Sequence, residues 1–259
     1  MRGSDGAASD GQGVEPADAG RTAAAGGAAN SWQLRPGPAP PRGLPWGFVA
    51  FFIGYVGYYL LHLALNAALP GINRGPLLLL AFAPNVLLGL APLALSWWRG
   101  SGPAADFGLV PEKRDVTVGL LCGGAALIGS WLLSLVLVGL VGPPPQTGLT
   151  HLQAGGRSVW LLLFAVFAFV GAPLTEELLV RGALWGALEH CRVPRYAVLV
   201  LTALVFAFVH QEPWRLPILF SAGLALGTAR MITGRLATSV VAHATNNLLP
   251  ALALVLGAH

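Results

Sequence analysis

The sequence predicts an all-α protein, a polytopic transmembrane helical bundle with seven to eight membrane segments. Three observations predict it. Hydrophobic residues fill 55% of the 259 positions and charged residues only 10%, where a soluble domain carries roughly 25% charged residues. Mean hydropathy is +0.67, and a chain this poor in charge cannot cover a water-facing surface, so lipid is its expected solvent. Finally, the apolar residues gather into runs close to the ~20 residues a helix needs to cross a bilayer. Trp46, Trp97, Trp98, Trp160 and Trp214 stand at or near the ends of those runs, where interfacial anchors sit.

Residues 1–44 are rich in Gly, Ala, Pro, Asp and Ser without apolar periodicity and are expected to form a disordered tail. Its opening stretch lacks the apolar core of a secretory signal, so the first span is expected to act as an uncleaved anchor. Apolar segments come next at 46–69, 76–98, 117–141, 158–190, 196–211, 215–231 and 236–256. Residues 100–115 contain Asp106, Glu112, Lys113, Arg114 and Asp115 and read as an aqueous loop, as does the stretch 141–157. The segment 158–190 would reach about 50 Å at about 1.5 Å per residue, too long for one straight span. Pro173 lies midway along it and has no backbone donor, which predicts a kink or a break there; a break would give eight segments. Three regions result: the tail 1–44, N-terminal transmembrane helices and loops over 45–156, and a helical core over 157–256.

The net charge of +4 does not indicate a nucleic-acid partner, because the basic residues are scattered at the ends of apolar runs. With the tail inside and seven spans, nine Lys and Arg residues close to the spans fall on the tail side, among them Arg99, Lys113, Arg114, Arg192 and Arg235. Three fall on the other, namely Arg74, Arg157 and Arg215. This asymmetry favours a tail-inside orientation, and an eighth span would invert the orientation of every later segment. Cys122 and Cys191 are the only cysteines and provide neither a disulfide framework nor a thiolate metal site.

Ionisable groups within a bilayer cost a few kcal/mol or more each, on the order of 3 at the centre. The last hundred residues nevertheless place Glu176, Glu177, Arg181, His210 and His243 inside apolar runs. Polar glue between helices would account for one such residue, but five confined to three consecutive helical regions point to a site. Glu177 and Arg181 are four apart and share a helix face, so they can pair. Glu176 lies about 100° round the helix, free to face a cavity. Phe206 shares a face with His210, and His243 shares one with Asn247; an imidazole beside an amide offers the donors of an oxyanion hole. Counted from Val193 as a hairpin apex, Glu176 and His210 each lie 17 residues away, so antiparallel helices hold them at one level.

Glu-Glu-Leu-Leu-Val-Arg at 176–181, Phe-Ala-Phe-Val-His at 206–210 and His-Ala-Thr-Asn-Asn at 243–247 resemble three motifs, E-E-x-x-x-R, F-x-x-x-H and H-x-x-x-N. These are the motifs of the CPBP (CaaX protease and bacteriocin-processing, or Abi) family of membrane peptidases. The resemblance spans about residues 157–250. It implies an intramembrane endopeptidase of CaaX prenyl protease type in which Glu176 and His210 activate water. His243 and Asn247 would then stabilise the oxyanion, with Glu177, Arg181 and Phe206 in support. The family has been described both as metallopeptidase and as metal-independent glutamate peptidase. If zinc is the cofactor, its ligands would be Glu176, His210 and His243; the alternative needs no cofactor.

The expected partners are a peptide or membrane-protein substrate and the lipid bilayer. Ala, Gly, Leu and Arg usage with a single Lys points to a GC-rich bacterial genome and a multi-pass protein of the bacterial plasma membrane. Two other functions fit intramembrane Glu and His: a non-catalytic scaffold or bacteriocin-immunity protein, and a proton-coupled transporter. The completeness of the motifs argues against the first, and the lack of an inverted repeat against the second. His62 in the first span is expected to snorkel or bond a neighbour. Gly223 and Gly227 are expected to form a helix-packing face, and Ser239 to orient the His243 ring.

Overall fold

The computed structural model describes residues 43–69, 77–145 and 158–256; residues 1–42 of the tail expected over 1–44 and the loop residues 146–157 lie outside them. The regular structure of the described residues is all helix, with no strand among them. The helices are α1 (Gly47–Ala68), α2 (Leu77–Arg99), a short α3 (Pro103–Phe107), α4 (Lys113–Val141), α5 (Val159–His190), α6 (Arg195–Val209), α7 (Leu216–Thr233) and α8 (Leu236–Leu256). Six of these described helices, α1, α2, α4, α5, α7 (extended by the turn at Pro213–Arg215) and α8, are long and apolar enough to cross a membrane. The chain is a multi-pass integral membrane protein, and its surface shows why. Leu140, Leu121 and Trp131 are exposed, while Glu177, Arg181, Asp115 and Arg230 are buried. That distribution is inverted relative to a soluble domain and suits a lipid solvent.

Two expectations are refined. The segment 158–190 is one continuous helix with no reversal at Pro173, so it supplies a single membrane segment and not two. The strain of its proline is absorbed by a wide π-helical stretch just upstream, Phe167–Gly171, in which the Ala172 N–H reaches back to the Phe167 carbonyl. A second π stretch covers Leu178–Leu184. Wide turns of this kind occur where helices carry function. The segment expected at 196–211 stops at Val209, with His210 as its C-cap and Gln211 in the left-handed region at φ 55°. At about 1.5 Å per residue α6 is about 22 Å long, short of the ~30 Å hydrocarbon core.

The expected aqueous loop at 100–115 is partly a packed layer. Asp106 is buried and accepts from Ser96 Oγ at 2.6 Å and from the Ser101 N–H, tying α3 to the end of α2. Asp115 is buried too and closes a capping box at the start of α4 with Glu112. Both carboxylates are satisfied by donors, Asp106 by local ones and Asp115 also by Thr238 and Arg235 of the α8 end, which is why they tolerate burial. The tail's last residues also pack: Leu44 is buried, and its N–H bonds to the Gly186 carbonyl of α5.

Small residues bring the helices that carry the polar motifs together. A Cβ on Gly123 of α4 would lie 2.4 Å from the Ala242 carbonyl of α8, so only glycine permits this approach beside His243. Gly223 of α7 lies close to α6, where a Cβ would meet Ala203 at 3.1 Å, consistent with the packing face expected at Gly223 and Gly227. Without a hydrophobic drive between helices in lipid, such contacts are what hold a bundle together.

Candidate active site

Glu176 and Glu177 lie in α5 between its two π stretches, His210 ends α6, and His243 lies a third of the way along α8. The three helices converge so that Glu176 Oε2 is 3.7 Å from His210 Nε2 and 3.9 Å from His243 Nε2. The side chains of Glu176 and His210 are about one-fifth exposed, at 20% and 23%, so water can reach them, whereas His243 is buried at 5%. The matched 17-residue counts from Val193 correspond to this meeting.

Each imidazole is oriented by an acceptor behind it. His210 Nδ1 is 2.6 Å from the Phe206 carbonyl. A carbonyl can only accept, so Nδ1 carries a proton and Nε2 is the ring atom turned towards Glu176. His243 Nδ1 lies 3.0 Å from Glu177 Oε1, which directs its Nε2 to the same place. Glu177 is fully buried, and the same oxygen accepts from Arg181 Nη1 at 2.9 Å, as the four-residue spacing predicts. Arg181 in turn donates through Nη2 to the Gly223 carbonyl at 2.9 Å. The Phe206 ring packs edge-on against both imidazoles, with centroids 4.6 Å from His210 and 5.4 Å from His243, and lies 4.5 Å beneath the Arg181 guanidinium.

Asn247 lies one turn beyond His243 and faces α5, donating from Nδ2 to the Ala168 carbonyl at 3.1 Å. Its Oδ1 accepts from Asn246 Nδ2 at 3.2 Å. Ser239 donates to the Leu226 carbonyl, so the acceptor on His243 Nδ1 is Glu177. His62 is exposed and bonded within its own helix to Asn66. Glu212 pairs with Arg215 at 3.0 Å near the surface.

A cleft opens onto Glu176 and His210, with room for water beside them. Its opposite wall is formed by Tyr55 and Tyr58 of α1 and Asn85 of α2, which sequence reasoning did not single out. The signal was present in α1, where Phe51, Tyr55, Tyr58 and His62 follow one another at helical spacing and stack ring on ring.

The donor set of Glu176, His210 and His243 matches zinc in type. Ligands of a tetrahedral zinc at about 2.0–2.1 Å lie about 3.4 Å apart, closer than the separations from Glu176. Among the described residues, no three His, Cys, Asp or Glu side chains are grouped as a metal would need.

Residues 158–249 match the family described as type II CAAX prenyl endopeptidase, Rce1-like. One relative is the membrane-embedded CAAX protease MroQ of Staphylococcus aureus (strain USA300). It is 26% identical over 143 residues, which are 53% of this chain and 57% of that protein. The chain thus spans little more than half the length of this curated relative. No solved structure matches the chain. The matched region holds all three polar motifs, so the resemblance read from them is borne out.

Proposed function

We propose, from a region of Rce1-like sequence folded around this cluster, that the protein is an intramembrane endopeptidase. It would hydrolyse a peptide bond near or within the membrane by a glutamate–histidine mechanism. The observation that carries the reading is the approach of Glu176 Oε2 to within 3.7 and 3.9 Å of two imidazole nitrogens from separate helices. A water held between Glu176 and His210 Nε2 gives one proton to the Glu176 carboxylate as its oxygen attacks the scissile carbonyl, with His210 orienting it. The carbonyl becomes a tetrahedral oxyanion, which accepts from His243 and Asn247. The His243 Nδ1 is turned to Glu177, which leaves its Nε2 end facing the reacting carbonyl. The C–N bond then breaks, and the leaving amine takes the proton that the water gave up.

The name of the relative suggests the substrate class, a protein or peptide with a processed C-terminal segment at the membrane. The test uses full-length protein in nanodiscs with a fluorogenic farnesylated CaaX-type peptide. Wild type should cleave it, and Glu176→Ala should lose at least about a hundredfold in kcat, the scale of a general base, with membrane insertion and thermal midpoint retained. Full activity of Glu176→Ala would overturn the assignment of Glu176 as the base, and failure of wild type to cleave would overturn the peptidase reading and leave a scaffold or transporter.

A further inference from the structure

The wide turn of α5 and the amide of Asn247 are connected through one carbonyl. In the π stretch Phe167–Gly171 the N–H of Ala172 bonds to the Phe167 carbonyl. The next donor in that register would belong to residue 173 and would serve Ala168. Residue 173 is a proline and has no N–H to give. The Ala168 carbonyl is therefore left without a backbone donor at membrane depth, where such a group must find another partner. It takes the Asn247 Nδ2 at 3.1 Å. Because a carbonyl only accepts, this contact also fixes which end of the amide faces α5.

We infer that Pro173 is a positioning residue for Asn247: by withholding its donor it exposes the Ala168 carbonyl, which pins the amide. Asn246 holds the other end through Asn247 Oδ1. An amide nitrogen has two hydrogens. One is spent on Ala168, and the second is left for the oxyanion in a side chain that no longer needs to be ordered during the reaction. The catalytic half of this inference rests on the peptidase reading; the structural half does not.

Restoring a donor at residue 173 dissolves the arrangement in either register. In Pro173→Ala, the Ala168 carbonyl receives the N–H of residue 173 if the π turn persists, or that of Ala172 if the helix relaxes to α. Asn247 is then released. The experiment is a double-mutant cycle of Pro173→Ala and Asn247→Ala in the full chain, read in two ways. By thermal unfolding in nanodiscs, Asn247→Ala should lower the midpoint by roughly 2–4 °C when Pro173 is present, the scale of one lost hydrogen bond in a chain this size. It should have little effect in the Pro173→Ala background. By cleavage of the fluorogenic peptide, Pro173→Ala should lower kcat about tenfold to a hundredfold with KM unchanged, below the full loss of an oxyanion donor. It should cost nothing further once Asn247 is Ala.

Equal effects of Asn247→Ala on the midpoint in both backgrounds would overturn the coupling. Additive kcat losses would overturn its role in positioning, because a merely structural proline would act independently of Asn247. If wild type cleaves nothing while the thermal cycle still shows coupling, the peptidase reading fails and the Pro173–Asn247 link stands.

Discussion

Glu177 Oε1 takes two hydrogen bonds, from Arg181 Nη1 at 2.9 Å on its own helix and from His243 Nδ1 at 3.0 Å on α8. A single buried carboxylate thus joins the charge balance of α5 to the orientation of the imidazole on α8. Glu177→Gln keeps the shape but leaves Arg181 as an uncompensated buried cation, which costs about 3–5 kcal/mol. The double variant Glu177→Gln/Arg181→Met removes both charges and should recover most of that stability. Activity should not recover with it, because His243 still lacks its anionic partner. Thermal midpoints and kcat of the two variants check this; a double variant restored in both would reduce the Glu177 contact to packing.

The polar motifs were legible because their background is apolar. Glu, Arg and His in a run of Leu, Val and Ala stand out at once, and the counts from Val193 placed two of them at one depth. The opposite wall of the cleft was not legible, since Tyr55 and Tyr58 in a lipid-facing helix read as ordinary apolar content and only packing shows which face they present. Pro173 announced an irregularity but not its form. Sequence shows that a donor is missing; whether the helix breaks, kinks or widens depends on which neighbour takes the orphaned carbonyl. Charge in a short loop was misleading for a related reason. Asp106 and Asp115 read as solvated until the donors around them are seen.

Asp115 is 1% exposed and accepts from Thr238 Oγ1 at 2.5 Å, Arg235 Nε at 2.9 Å and the Glu112 N–H at 2.9 Å. Arg235 also reaches the Val110 carbonyl, so the network clamps the start of α8 to the start of α4. Thr238 lies five residues before His243, and the clamp sets the height at which α8 presents its imidazole. Asp115→Ala should destabilise the protein by about 2–3 kcal/mol, the scale of hydrogen bonds to a charged group, visible as a lower thermal midpoint. Asp115→Asn should lose less, since Arg235 keeps its second carboxylate, Glu112, at 3.1 Å. Equal loss in both variants would show that the charge matters more than the hydrogen bonds.

Tyr58 lines the cleft opposite Glu176 and His210, and its ring stacks between Tyr55 and His62 at 6.5 and 6.0 Å. In the proposed reaction a peptide reaching Glu176 would lie against this wall and touch Tyr58 in the ground state and the transition state alike. Removing such a uniform contact raises KM and leaves kcat nearly unchanged. Tyr58→Ala should therefore raise KM about tenfold, the scale of losing about 1.4 kcal/mol of aromatic contact, with kcat within about threefold. Tyr58→Phe keeps the ring and should stay close to wild type. A fall in kcat at constant KM in Tyr58→Phe would mean instead that the phenol hydroxyl acts on the reacting groups, because only an interaction confined to the transition state leaves KM untouched.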